Sequence, residues 1–118
     1  ETDFKPTKYL KFIKKFHPKF FGVNYDTGNS VSYGFDPSEE IKAYGRYINN
    51  VHIKDRIYKG KSVPLGEGGA DFFTIFRKLK QIKYSGNFIL QGARSKKNQH
   101  LNIIMEYKNF VESFLTNV

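Results

Sequence analysis

Hydrophobic positions along the chain change their period from segment to segment, and the changes mark out the elements. From Pro6 to Phe16 the apolar residues Tyr9, Phe12, Ile13 and Phe16 fall at i, i+3, i+4 and i+7, which predicts one face of a helix. Pro6 suits its first turn and His17-Pro18 ends it. FFGVNYD (20–26) alternates instead. Phe21, Val23 and Tyr25 point one way and Gly22, Asn24 and Asp26 the other, which predicts a strand. TGNSVSYG (27–34) reads as a turn-rich loop. Asp36 then caps a helix, with Pro37 at its first position, Glu39 completing a capping box, and Ile41, Tyr44 and Ile48 as its buried stripe. NVHIK (50–54) is a second strand, followed by the glycine-rich loop YKGKSVPLGEGGA. Phe72, Ile75, Phe76 and Leu79 predict a third helix with Asp71 near its start. NFILQ (87–91) is a third strand, and Leu101, Ile104, Met105, Val111 and Leu115 mark a last helix.

Strands separated by helices run parallel, so this order predicts an α/β fold with a parallel sheet. Folds of that kind place their sites at the carboxyl ends of the strands. No G-x-G-x-x-G follows a strand, which leaves dinucleotide binding without support. GEGG follows a loop rather than a strand and is a poor phosphate cradle.

Composition narrows the class. The chain has 118 residues, enough for one small domain, with 39% hydrophobic and 17% aromatic residues to fill a core. It contains no run of 18 apolar residues and no visible signal peptide, so no membrane partner is expected. Zero cysteines exclude disulfides and thiolate metal sites, and a reducing cytoplasm is the expected setting. The first residue is Glu and Met105 is the one methionine, so a longer parent chain is expected. The net charge of +9 permits nucleic-acid binding. Its lysines are scattered, however. Lys8, Lys11 and Lys15 lie opposite the apolar stripe of their own segment, as on a solvated face, and nucleic acid is not the expected partner.

The candidate chemistry sits at the strand endings: Asp26, His52 and Gln91. Strand parity puts each on the face opposite its strand's apolar neighbours, so the three converge at one mouth if those faces point inward. Glu1 joins them if ETD is the tail of a preceding strand. Oxygen ligands with one imidazole suit a divalent ion such as Mn²⁺, Mg²⁺, Co²⁺ or Zn²⁺. Such an ion stabilises an enediolate while a carboxylate moves the proton. Plainer readings stand beside this one: a structural histidine, an aspartate capping a loop, and a solvated strand end at Lys54-Asp55-Arg56.

YDTGNSVSYGFDP, NVHIKDR, VPLGEGGADF and YSGNFILQ, in this order and spacing, resemble the sugar phosphate isomerase/epimerase family. These are xylose-isomerase-like TIM barrels, related in fold to endonuclease IV. The resemblance implies that residues 1–118 form the C-terminal half of a (β/α)₈ barrel: the end of strand 5, strands 6 to 8, and helices 5 to 8. A full barrel needs roughly 250 residues. The missing N-terminal half, or a second copy of the chain, is therefore expected to cover the sheet edges. The resemblance also implies a divalent metal on Glu1, Asp26, His52 and Gln91, with Glu1 as catalytic acid/base. Gln91 stands where the family has a second glutamate; it can coordinate but cannot take a proton at neutral pH. That departure weakens two-base epimerisation and leaves one-base isomerisation, a related lyase or hydrolase reaction, or a non-catalytic descendant.

Asn29 lies where relatives often carry His. With Lys54 and Arg56 it is expected to hold the oxygens of a small sugar or sugar phosphate, Asp55 orienting them and Arg94 a second choice for the same task. Glu67 is expected to fix its loop. The alternative, an abasic-site nuclease of the endonuclease IV type, draws on the charge and the D-T-x-x pattern. It lacks the extra histidines at strand ends, since His17 and His100 lie elsewhere.

Overall fold

A computed structural model describes residues 1–117 and confirms the alternation. Helix α1 (Pro6–Ile13) leads to strand β1 (Val23–Asp26), helices α2 (Thr27–Tyr33) and α3 (Pro37–Tyr44), and strand β2 (Ile48–Ile53). A short hairpin follows, β3 (Asp55–Arg56) with β4 (Ser62–Val63). Helix α4 (Phe72–Gln81), strand β5 (Asn87–Leu90) and helix α5 (His100–Asn117) complete the chain. The main sheet is parallel with order β1-β2-β5, and the hairpin is antiparallel.

One face of the sheet makes the core. Val23, Tyr25, Val51 and Ile53 are buried against Tyr9 and Ile13 of α1, Ile41 and Tyr44 of α3, and Ile75, Phe76 and Leu79 of α4. The other face carries Asn24, Asn50, His52 and Ile89, which are half-buried or exposed and lie outside the core. There Asn50 Nδ2 donates to Asn24 Oδ1 at 2.7 Å, and Ile89 is 44% exposed. A TIM barrel of this family would turn such a face toward its axis.

Several elements differ from the sequence expectation, and Ile48, expected on the helical stripe before it, opens β2. Helix α1 ends at Ile13, and Lys15 and Phe16 continue as tight turns that donate to Phe12 and Ile13 carbonyls. The expected loop 27–34 is helix α2. Asp26 accepts from the Asn29 N–H at its start, and Gly34, at φ 75°, closes it in the left-handed conformation that glycine adopts freely. Asp36 caps α3 through the Ser38 and Glu39 N–H groups, but among the described residues the Glu39 carboxylate returns no bond. Its neighbour Glu40 is the buried one. Helix α5 turns Tyr107, Phe110, Val111 and Phe114 inward, while Leu101, Ile104, Met105 and Leu115 stay exposed. Aromatic packing decides that rotation: Phe110 meets Phe72 at 5.2 Å and Phe114 meets Phe76 at 5.3 Å between ring centres.

Candidate functional site

The register of β1 on β2 places Asp26 directly beside His52, both on the open face of the sheet at its carboxyl end. Asp26 is buried and its two oxygens do different work. Oδ1 accepts the Asn29 N–H at 2.7 Å. Oδ2 has no hydrogen-bond partner and points at His52 Nδ1, 3.9 Å away, which is also buried and unpartnered. Buried polar atoms are rarely left this way. Burial raises the Asp26 carboxyl above its ordinary range. The Asn29 N–H and the Lys54 and His52 charges pull it back, and Glu1 adds to the rise.

Asn29 links three neighbours. Its side-chain amide donates to Glu1 Oε2 at 3.2 Å, and its Oδ1 accepts Arg56 Nη1 at 2.9 Å. Glu1 precedes α1 in an irregular segment and lines, with Asp26 and Asn29, a cavity of about 190 Å³. Arg56 directs Nε and Nη2 at the Gly60 carbonyl, 3.0 and 2.7 Å away, so much of its fork is engaged within the chain. Gln91 is exposed one step past β5, its N–H donating to the Ile53 carbonyl. Among the described residues, no three His, Cys, Asp or Glu side chains stand close enough together to hold a metal ion.

Two sequence expectations change. Asp55 is fully buried, and its carboxylate accepts the backbone N–H groups of Arg56, Gly66, Gly68 and Ala70 at 2.9–3.0 Å. It ties the glycine-rich loop to the strand end instead of orienting Lys54 and Arg56 toward a substrate. Glu67, expected to fix that loop, is exposed. Gly68 permits the arrangement, because a Cβ there would run into the Asp55 carboxylate and the Arg56 carbonyl.

Two further residues support the site and were not singled out from the sequence. Thr27 is fully buried; its hydroxyl donates to the Lys54 carbonyl at 2.6 Å and accepts the Lys54 N–H at 2.9 Å. The D-T pair after a strand was the available signal. Glu40 is 2% exposed and accepts the hydroxyls of Ser30, Tyr44 and Tyr25 at 2.6, 2.8 and 3.0 Å. Burial raises its carboxyl above the ordinary value, and the three hydroxyls offset part of that. Glutamate so near a helix start reads as a cap, and only the tertiary fold shows its partners.

Parallel strands wrapped by helices on one face, with an aspartate and a histidine side by side at their carboxyl ends, define part of a TIM-barrel-type α/β protein. The chain belongs to the xylose isomerase-like TIM barrel family, whose pattern matches residues 2–108. It is 34% identical over 86 residues to the L-ribulose-5-phosphate 3-epimerase UlaE of Escherichia coli O1:K1 / APEC, covering 72% of this chain and 30% of that protein. It is 28% identical over 95 residues to the inosose dehydratase of Geobacillus kaustophilus (strain HTA426), covering 65% and 31%. The crystal structure of a xylose isomerase domain protein from Planctomyces limnophilus shares the fold with a TM-score of 0.81 at 21% identity, over 97% of this chain and 44% of that one. A D-tagatose 3-epimerase-like protein gives 0.68 at 25% identity, over 94% and 43%. The chain thus spans about a third of the curated relatives and less than half of the two solved structures. Among the described residues no helix is long and apolar enough to cross a membrane.

Proposed function

We propose that this chain carries the metal-holding strand ends of a sugar or sugar-phosphate isomerase or epimerase. The observation that carries the reading is the pair of buried donor atoms, Asp26 Oδ2 and His52 Nδ1, which face each other without a partner. A carboxylate oxygen beside an imidazole nitrogen suits Mn²⁺, Co²⁺, Mg²⁺ or Zn²⁺. Glu1, on the same cavity as Asp26, and Gln91, on the neighbouring strand end, are the further donors within this reading. Such an ion polarises the carbonyl and hydroxyl of a bound ketose.

The chain's own residues supply the rest. Glu1 is the carboxylate placed to take or return a proton, and the Asn29 amide holds it in position. Gln91 cannot exchange a proton, so the reading favours chemistry through one base. Asn29 and Lys54 face the sugar oxygens. The free edges of β1 and β5 would be covered by a further β/α half or by a second copy of the chain.

Calorimetric titration with Mn²⁺ and Co²⁺ tests the metal site. Binding to the wild type and its loss in D26N and H52A are expected; equal binding in all three would refute the assignment. On protein that binds metal, deuterium exchange at C3 of L-ribulose 5-phosphate or of an unphosphorylated ketose tests the chemistry. No exchange with any ketose, in the presence of metal and of a complementing half-barrel, would count against it. Sedimentation of the chain alone separates the two covers: a dimer is expected if a second copy covers the edges, and an ideal monomer would refute that cover and leave the further half.

A further inference from the structure

The amino end of the sheet carries a surface that the strand-end site does not use. Between Lys5 and Asp26 the chain has no aspartate or glutamate, but it has six lysines: Lys5, Lys8, Lys11, Lys14, Lys15 and Lys19. All six are exposed, and among the described residues none is in an ion pair. Tyr9 and Ile13 turn one side of α1 into the core. At 3.6 residues per turn, Lys8, Lys11 and Phe12 share an arc of about 100° that excludes both, and Lys15 follows in the next turn.

Aromatic side chains run through this basic surface. Ring centres step from Phe4 to Phe12 at 5.9 Å, from Phe12 to Phe16 at 5.1 Å and from Phe16 to Phe21 at 4.9 Å. Phe12, Phe20 and Phe21 stay 43%, 73% and 52% exposed. A hydrogen-bonded turn holds Phe20 outward. The Phe20 and Phe21 N–H groups donate to the His17 carbonyl at 3.0 and 3.2 Å, His17 Nδ1 accepts the Lys19 N–H at 3.2 Å, and Pro18 stiffens the chain between them. Lys8 Nζ lies 4.0 Å over the Phe4 ring and Lys19 Nζ 5.7 Å over the Phe20 ring, so cation and ring alternate on one surface.

A contiguous exposed apolar strip marks an interaction surface, and uncompensated lysines around it call for a negative partner. A second copy of the chain brings the same charge of +9 and is repelled. Nucleic acid would satisfy the lysines, but its bases stack on free ring faces. Here lysines lie over Phe4 and Phe20, while Phe12, Phe16 and Phe21 pack on one another. An anionic lipid surface asks only for projecting apolar groups set among cations. We propose that α1 and the turn at Phe20 dock the protein on an anionic lipid surface, Phe20 and Phe21 entering the headgroup boundary while Lys8, Lys11, Lys15 and Lys19 meet the lipid phosphates. Five residues at about 3.3 Å each separate Phe21 from Asp26, which stands at the other end of β1. Docking therefore leaves the strand-end site uncovered and does not depend on a metal there.

The experiment sediments the chain with unilamellar vesicles of phosphatidylcholine alone or with about 30% phosphatidylserine, at about 0.1 M and about 0.5 M salt. Wild type is expected to pellet with the anionic vesicles at low salt, to be released at high salt, and to stay in solution with phosphatidylcholine. K11Q/K15Q should weaken binding by about tenfold or more. F20S, which removes an exposed ring, should weaken it by about fivefold or more. K96Q/K97Q, a control for general charge in the loop after β5, should change it by less than about threefold. Circular dichroism matching the wild type shows that the variants are folded. The proposal is overturned by absence of binding to the anionic vesicles, by equal binding to phosphatidylcholine, by unaltered binding in F20S, or by equal weakening in K96Q/K97Q. Oligouridylate binding that F20S abolishes would assign the surface to nucleic acid, and a sedimenting dimer that F20S dissociates would assign it to a second copy. Loss of vesicle binding on adding a complementing half-barrel would assign it to that half. Each of these three results also overturns the proposal.

Discussion

Replacing Asp55 by Ala is expected to destabilise the rim more than any change at its charged surface. The carboxylate accepts four backbone N–H groups, and the residue is fully buried. Its loss strands the N–H groups of Arg56 and Ala70, on half-buried residues, at about 1–3 kcal/mol each. The N–H groups of Gly66 and Gly68 belong to exposed residues and can take water, so each costs roughly 0.5 kcal/mol. The total is about 3–7 kcal/mol, a large share of the roughly 5–15 kcal/mol that holds an ordinary domain together. Urea unfolding followed by circular dichroism measures it. With a slope of about 1–1.5 kcal/mol per molar, the midpoint should fall by roughly 2–7 M, or the transition should vanish where the loss exceeds the domain's stability. Limited proteolysis gives a local readout, with new cleavage expected between residues 57 and 69. Asp55→Asn should lie in between, because its amide group faces two N–H donors with a third donor. A loss under about 1 kcal/mol in Asp55→Ala, with the loop still protease-resistant, would refute the view that this carboxylate organises the rim.

Three further outcomes are expected. Glu40 binds its proton more tightly in the folded state than in the unfolded chain, because burial holds it above its ordinary value of 4.5. Its contribution is therefore most favourable below that value and declines as pH rises through the window up to the folded value. Melting temperatures across this range should decline less steeply in Glu40→Gln than in wild type, and an identical slope would refute the assignment. Thr27→Val keeps the shape of a fully buried side chain but removes both bonds to Lys54, and should cost about 1–3 kcal/mol by chemical denaturation. Gly34→Ala must adopt φ near 75° and would place its Cβ 2.8 Å from the Tyr58 ring, so a loss of about 1–2 kcal/mol is expected in thermal unfolding. No loss would mean that α2 can end another way.

Periodic segments were legible because burial and period coincide in them. Tyr9 and Ile13 on α1, and Phe72, Ile75, Phe76 and Leu79 on α4, all lie in the core. Strand parity placed Asp26 and His52 on one face, and the register sets them side by side. Helix α2 escaped because TGNSVSY has almost no apolar residue to show a period; its identity lies in the caps Asp26 and Gly34. The β3–β4 hairpin escaped because two-residue strands carry no pattern. The buried side of α5 was not legible because apolar residues surround that helix, and the aromatic partners that choose among them are on α4. The roles of Asp55 and Glu40 depend on partners up to 15 residues away, which spacing in one segment cannot reveal.

The Glu40 cluster also restricts how α3 can lie on the sheet. Ser30 comes from α2, Tyr25 from β1 and Tyr44 from the far end of α3 itself, and all three hydroxyls meet one carboxylate. Moving α3 by a single turn would separate a buried carboxyl from two of its donors, at a cost of about 1–3 kcal/mol for each bond left unmade. Purely hydrophobic contacts would tolerate neighbouring alignments at similar energy. The carboxylate therefore works as an alignment pin. It locks the residue preceding Asp26, so the direction in which that aspartate presents its free oxygen is set from the opposite side of the sheet.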